Sequence, residues 1–282
     1  MNLVIDSGSS KTVWRLQHDD GGTVDRFTVG LNPHFTPDSV VERCIDEVMG
    51  ATPFEGEIFF YGAGCGDSQS RQRYKQIFEH CIPGSRAVVE DDLTGACRAL
   101  LGDRPGLAGI LGTGSNACYY DGTAVADRIC STGYVLGDEG SGNHIGRRLW
   151  KDYWAGRMPG PLAEQFKHLF PLSLPEFLQR LYHEPCANRF LASAAPFAAQ
   201  HRQEPYMHSL LVGCMTAYIE EQVLPLGKRR HTATLSLTGS VAAHFRHELD
   251  EAATQAGIAV AHIMAQPIEG LAAYHRKREQ HT

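Results

Sequence analysis

Apolar positions along this chain switch between two periods, and the switch repeats. Leu3-Val4-Ile5 is a short apolar run closed by Asp6, and Lys11–Leu16 and Thr23–Val29 follow with alternating character. Asp19-Asp20-Gly21-Gly22 lies between the last two and has hairpin-turn composition, so the amino-terminal stretch predicts a three-strand meander. After Pro37-Asp38-Ser39 the spacing becomes helical, with Val40, Val41, Cys44, Ile45 and Val48 on one face of a helix that runs to about Met49. Glu57–Tyr61 reads as a buried strand, Arg71–Cys81 as a helix, Ala87–Glu90 as a strand and Leu93–Leu101 as a helix.

Gly102-Asp103-Arg104-Pro105-Gly106 has loop composition and ends that helix. Beyond it the opening pattern returns roughly 105 residues later: Leu107–Leu111, Asn116–Tyr120 and Thr123–Arg128 as strands, with Asp121-Gly122 as the hairpin turn. Gly133–Gly142 reads as a glycine-rich loop leading into a helix through Ile145, Leu149 and Trp150. Residues 159–225 read as helical throughout, as Leu162–Leu169, Leu174–Leu181, Cys186–Gln200 and Pro205–Val223. Ala233–Leu237, a helix His244–Gln255, an edge strand Ile258–Ile263 and a closing helix Ile268–Lys277 complete the chain. The expected organisation is a first α/β lobe over 1–104 and a second over 105–266 that carries a helical insertion at 159–225. The closing helix, about 267–282, is free to pack back on the first lobe.

Composition narrows the function. With 282 residues there is enough chain for two cores, and 43% hydrophobic with 21% charged residues is an ordinary globular balance. The net charge of −6 argues against nucleic acid and anionic membranes as partners. No run approaches the roughly 18 apolar residues of a membrane span. Met1-Asn2-Leu3-Val4 enters a strand directly, with no signal peptide in view, so the expected location is cytoplasmic. The cysteines form no C-x-x-C pair and read as reduced core residues. His244 and His247 stand at i, i+3 on a helix, but the sequence shows no third metal ligand for them. Neither a P-loop nor a G-x-G-x-x-G turn after a strand is present.

The chemistry concentrates where strands end. Ser7-Gly8-Ser9-Ser10-Lys11-Thr12 follows the first strand, Gly112-Thr113-Gly114-Ser115 follows Leu107–Leu111, and Thr238-Gly239-Ser240 follows Ala233–Leu237. Glycines allow backbone N–H groups close to an anion and the hydroxyls add donors, which suits phosphate; an ordinary tight turn is the alternative. Asp6, at a strand's carboxyl end, is placed to hold Mg²⁺ or to cap the serine-rich turn. Asp92 is placed either to cap the helix after it or to act as a general base. Asn32, before Pro33, offers an amide suited to a sugar hydroxyl. Asp138 or Glu139 could cap the next helix or accept hydrogen bonds from substrate hydroxyls. Gly62-Ala63-Gly64-Cys65-Gly66 implies backbone close to a ligand or to another segment.

The ordered set D-S-G-S-S-K-T at 6–12, D-L-T-G-A at 92–96, L-G-T-G-S-N at 111–116, G-D-E-G-S-G at 137–142 and L-T-G-S-V at 237–241 resembles the BadF/BadG-type ATPase family over nearly the whole chain. The resemblance implies two RNase H-like lobes of the actin-like ATPase fold, with ATP and a sugar in the cleft between them. It implies an ATP- and Mg²⁺-dependent kinase acting on a hydroxyl, at C6, of a small-molecule amino sugar such as N-acetylglucosamine, and it is compatible with a homodimer. By the resemblance, Asp6, Gly8, Ser10 and Lys11 form the first phosphate loop, with Asp6 serving the metal. Thr113 and Gly114 form the second, and Gly239 and Ser240 the adenosine-side turn. Asp92 matches the base, and Asn32, Ser115, Asn116, Ser131, Thr132, Gly133 and Asp138 match the sugar site. The family's first loop is richer in glycine; Ser7 and Ser9 stand here as small donors. Thr132 stands where mammalian N-acetylglucosamine kinases carry a tryptophan. The family also holds ATPase activators of 2-hydroxyacyl-CoA dehydratases, whose iron–sulfur cluster needs a cysteine-bearing glycine motif not matched here. A nucleotide-dependent sensor without catalysis is the remaining alternative, opposed by Asp92 and Asn32.

Overall fold

The computed structural model describes residues 1–50 and 53–279. The first part of the chain runs β1 (Asn2–Ser7), β2 (Lys11–Gln17), β3 (Thr23–Val29), α1 (Asp38–Met49), β4 (Gly56–Gly62), α2 (Ser68–Cys81), β5 (Ser85–Asp91) and α3 (Asp92–Leu101). The second runs β6 (Gly106–Leu111), β7 (Ser115–Tyr120), β8 (Val125–Arg128), α4 (Gly133–Leu136), α5 (Gly142–Trp154), α6 (Gly160–Leu169), α7 (Leu174–Tyr182), α8 (Ala187–Ala192), α9 (Ala195–Gln200) and α10 (Pro205–Tyr218). A π-helical turn (Ile219–Val223), α11 (Leu224–Arg230), β9 (Thr234–Thr238), α12 (Ser240–His244), α13 (Arg246–Gln255), β10 (Ala259–Met264) and α14 (Ile268–Glu279) follow.

Two compact units result. One gathers Met1–Pro105, the turn Asp121–Val125 and the chain from Gln266 onward; the other gathers Gly106–Tyr120 and Ala126–Ala265. Each has a five-stranded sheet of the same plan, β3-β2-β1-β4-β5 in the first and β8-β7-β6-β9-β10 in the second. In both, the first strand pairs antiparallel with the second and parallel with the fourth. This is the RNase H-like arrangement, present twice.

The middle strand explains the unbroken apolar run at the start. Leu3 and Ile5 face one core with Trp14, Phe60 and Phe78, while Val4 faces the other with Val13, Tyr61 and, from α14, Ile268 and Leu271. A strand buried on both faces has no polar side to alternate with. Further bonds fix α14 to this unit: Arg15 bridges Asp25 at 2.7 Å and Glu269 at 2.7 Å, and Tyr61 Oη shares a 2.7 Å hydrogen bond with His275 Nε2. The expected closing helix extends to 282, and its last three positions lie outside the described residues.

In the second unit the helical insertion packs around Trp150 of α5, which is 2% exposed. Its ring meets Phe166 of α6 edge-on at 4.7 Å and Phe177 of α7 at 4.7 Å. Several boundaries differ from the sequence reading for local reasons. Cys186–Gln200 is two helices, with the break just ahead of Pro196. The helix expected to end at Val223 runs on to Arg230, because the wide π turn stands immediately before Pro225, which has no N–H to return. β8 starts only at Val125, since Asp121 Oδ1 accepts the N–H groups of Thr123 and Ala124, both at 2.8 Å, and holds them in the turn. Phe245 leaves helical geometry and divides α12 from α13. The first half of the Gly133–Gly142 loop is the short helix α4. Cys130 and Cys186 are exposed, not in the core as the sequence reading had them. Among the described residues no helix is long and apolar enough to cross a membrane.

Candidate active site

In the first unit the parallel strands β1, β4 and β5 stop on one line. Ser7 lies opposite Gly62, and Gly62 opposite Asp91. Asp6 therefore sits just inside the sheet's carboxyl edge and Asp92 just beyond it. Asp6 is pushed up to about 7, first by burial and then by the charge of Asp92, with Lys11 pulling the other way. Two carboxylates close enough to oppose each other's ionisation are a donor set that a divalent cation would relieve.

The capping alternative for Asp92 falls to its neighbour. Asp91 is the N-cap of α3, its Oδ1 accepting the Thr94 N–H at 2.6 Å, and Asp92 is the first helical residue. Ser7, read as a small donor for phosphate, is fully buried: it shares a 2.8 Å bond with Thr12 Oγ1 and exchanges bonds with the Leu31 backbone. Its hydroxyl locks the turn instead of facing a ligand. Gly8 differs. Its N–H closes the turn onto the Lys11 carbonyl at 3.0 Å, and a Cβ there would meet nothing nearer than 3.8 Å. The backbone at Gly8 is thus open, while Ser10 and Lys11 are exposed beside it.

Within the glycine run after β4, Gly64 lies against another segment. Gly64 has φ +89°, and a Cβ on it would overlap the Asn32 side-chain oxygen. Asn32 Oδ1 also accepts the His34 N–H at 2.9 Å, so the glycine makes room for an Asx turn that fixes the Asn32 amide. Cys65, within the same run, is wholly buried and its thiol is pushed up to about 12 by burial and the nearby carboxylates, chiefly Asp92.

In the second unit the other two glycine–hydroxyl turns share one end of the sheet, for Ile110 of β6 lies opposite Thr238 of β9. Gly239, at φ +118°, carries no Cβ because one would overlap the Leu111 carbonyl, and Ser240 opens α12 in an exposed position. The Gly112–Ser115 turn is fastened from behind. Asn143 donates its N–H (3.1 Å) and Nδ2 (2.8 Å) to the Thr113 carbonyl, and the Gly142 N–H bonds the Gly112 carbonyl at 2.8 Å. Asp138, held at φ 59°, accepts the Ser115 N–H at 3.2 Å and Asn143 Nδ2 at 2.8 Å; burial raises its pKa. A Cβ on Gly114 would sit 2.9 Å from Asp138 Oδ2, so this glycine also makes room for that carboxylate.

Neither Asp138 nor Glu139 caps α5. Ser141 does, accepting the His144 N–H at 3.3 Å. Glu139 instead accepts from Gln222 at 2.8 Å, and the same amide nitrogen donates to Ser115 Oγ at 2.9 Å. Gln222 carries no sequence signal, because 107 residues separate it from Ser115. Asn116 is engaged through its carbonyl by Tyr218 Oη at 3.2 Å. Ser131, Thr132 and Gly133 are exposed at the entry to α4. The structure thus joins Ser115, Asn116 and Asp138 to the Thr113–Gly114 turn in one unit, and Asp6, Gly8, Asn32 and Asp92 around one strand edge in the other.

No protein-family model and no curated protein matches the sequence. Solved structures do. The crystal structure named "Putative N-acetylglucosamine Kinase" from Porphyromonas gingivalis is 34% identical, with 99% of this chain and 100% of that one covered and a TM-score of 0.92. The chain belongs to the BadF/BadG-type ATPase family. A "Putative N-acetylglucosamine Kinase" from Chromobacterium violaceum has the same fold at 18% identity and a TM-score of 0.73, covering 97% of this chain and 98% of its own. A "putative N-acetylmannosamine kinase" from Listeria monocytogenes does so at 12% identity and a TM-score of 0.55, covering 99% of both chains. This family member therefore has the actin-like ATPase fold, in which the two RNase H-like units found here are the expected parts.

Proposed function

We propose that this chain is an ATP-dependent sugar kinase that transfers the γ-phosphoryl group to the C6 hydroxyl of an amino sugar of the N-acetylglucosamine class. The observation that carries the reading is Asp92. It stands at the edge of a sheet beside Asp6, and the structural task its position offered, capping α3, belongs to Asp91.

Asp92 accepts the proton of the sugar hydroxyl as the oxygen attacks phosphorus; the bond from the γ-phosphorus to its bridging oxygen breaks and ADP leaves. Gly8 with Ser10 and Lys11 holds phosphate from the first turn, and Thr113 with Gly114 from the second. Gly239 and Ser240 take the adenosine side. Asp6 fits as a Mg²⁺ partner, and that ion supplies charge neutralisation on the phosphates. Asn32, Ser115, Asn116 and Asp138, with Ser131–Gly133, orient the sugar. Thr132 offers the sugar a smaller, more polar wall than an aromatic ring would. The free cysteines agree with a reducing, cytoplasmic setting.

The test is a panel of N-acetylglucosamine, glucosamine, N-acetylmannosamine and glucose with ATP and Mg²⁺, read by ADP release and by NMR of the product. An amino sugar 6-phosphate is expected. ATP turnover indifferent to every sugar, or a phosphate at another position, overturns the assignment.

A further inference from the structure

The sequence places His244 and His247 one turn apart, and the fold leaves His244 out and gathers His247 with other donors. His208 of α10 comes to the same place as His247 and Glu248 of α13, with one donor atom from each residue lying within 4.8 Å of the others. The two imidazole centroids are 6.1 Å apart. We propose that His208, His247 and Glu248 form a cation site, separate from the phosphate turns, that takes a divalent ion of the zinc class and ties α10 to α13.

The donor chemistry selects that class. Two imidazoles and one carboxylate suit a borderline ion that favours four ligands near 2.0–2.2 Å, whereas Mg²⁺ prefers oxygen and retains its water. A fourth position has a donor close by: Glu251 Oε2 lies 3.1 Å from His208 Nε2. Glu251 is one helical turn beyond His247, so both project from the same side of α13.

The carboxylate is already oriented. Glu248 is 1% exposed, and Arg202 donates to both its oxygens, Nε to Oε1 at 3.1 Å and Nη2 to Oε2 at 2.8 Å. The same guanidinium reaches the His244 carbonyl at 3.1 Å, at the end of α12. A ligating carboxylate normally has such an outer partner, and each Glu248 oxygen keeps a further lone pair. With Arg202 balancing Glu248, Glu251 leaves the cluster with one net negative charge while the imidazoles are neutral. His247 is exposed, which gives an ion access, and His208 is half-buried at the helix contact.

The experiment uses the untagged full chain, stripped with chelator and titrated calorimetrically with Zn²⁺ and, for its visible spectrum, with Co²⁺. One saturable equivalent is expected that is absent from His247→Ala and weakened at least tenfold in His208→Ala, with Mg²⁺ not competing. Zn²⁺ should raise the melting temperature of the wild type and not of His247→Ala. His244→Ala, on the neighbouring helix but outside the cluster, should bind as the wild type does. His247 is exposed, so its variant is expected to fold, and circular dichroism checks this. Equal Zn²⁺ stoichiometry in wild type and His247→Ala, or loss of binding in His244→Ala alone, overturns the site.

Discussion

Asp91 Oδ1 accepts the Thr94 backbone N–H at 2.6 Å, and this bond separates the duties of two adjacent carboxylates. Asp91 caps the helix, and Asp92, its first residue, is the one proposed as the base. Asp91→Ala should lower stability by about 0.5–2 kcal/mol, the usual loss for a helix cap, with turnover at permissive temperature nearly intact. Asp92→Asn should do the reverse, lowering kcat by about 10²–10⁴-fold with the melting temperature hardly moved. Thermal melts and kinetics on both variants check this; a kcat loss equal in both would move the base elsewhere.

The glycines of the turns divide in the same way. A Cβ at Gly8 meets nothing closer than 3.8 Å, so Gly8→Ala should fold with unchanged stability and lose ATP affinity if phosphate approaches that backbone. Gly239 sits at φ +118° against the Leu111 carbonyl, so Gly239→Ala should destabilise the protein by roughly 2–4 kcal/mol before any ligand is considered. Chemical denaturation and ATP calorimetry on the pair give the comparison. Unchanged ATP affinity in Gly8→Ala would return the first turn to a purely structural role.

Asp6 makes a pH prediction. Its folded pKa of about 7 lies above its ordinary value, so the folded protein keeps a proton that the unfolded chain releases. Stability is therefore lost as pH rises from about 4 to 7 and is level above that. Asp6→Asn removes the penalty and should be the more stable protein at pH 8, on the order of 1–3 kcal/mol, with the difference vanishing toward pH 4. Mg²⁺ should narrow the gap by stabilising the wild type. Denaturation curves at the two pH values decide it, and a wild type more stable than the variant at pH 8 without Mg²⁺ would refute the burial argument.

His275 predicts the opposite slope. It is buried against Phe59 at 3.6 Å between ring centroids, bonded to Tyr61, and held down to about 3 by burial and by Arg98. Between pH 6.5 and 3 the unfolded chain binds a proton that the folded protein refuses, so stability falls as pH drops through that window. His275→Gln should lose stability at pH 7 through the lost stacking, yet show a shallower decline between pH 6.5 and 4. Melting temperatures of both proteins across that range measure the difference; parallel declines would assign the acid sensitivity to other groups.

Trp150 holds the helical insertion to the second unit. Replacing it with alanine removes contacts to Phe166 and Phe177 at 4.7 Å and should cost about 3–5 kcal/mol. A loss below about 1 kcal/mol in urea unfolding would show that the surrounding aromatics repack.

The sequence by itself determined the strand-and-turn units. Leu3–Ile5 and Leu107–Leu111 are buried strands because apolar runs of that length have nowhere else to go, and the glycine–hydroxyl turns after them follow from local chain chemistry. It also determined that two such units exist, since the meander recurs in order. Which side chains are buried and which lie at the surface was decided only in three dimensions. Ser7 and Ser10 look alike along the chain, but strand pairing buries one and exposes the other. Asp91 and Asp92 are interchangeable as letters, until the helix fixes which one bends back to its N–H groups. Gln222 and His208 gave no signal at all: each acts with residues of a distant segment, Ser115 and Glu139 for one and His247 for the other. Periodicity reports what a residue does with neighbours three or four positions away, and partners brought together by packing from distant segments leave no such trace.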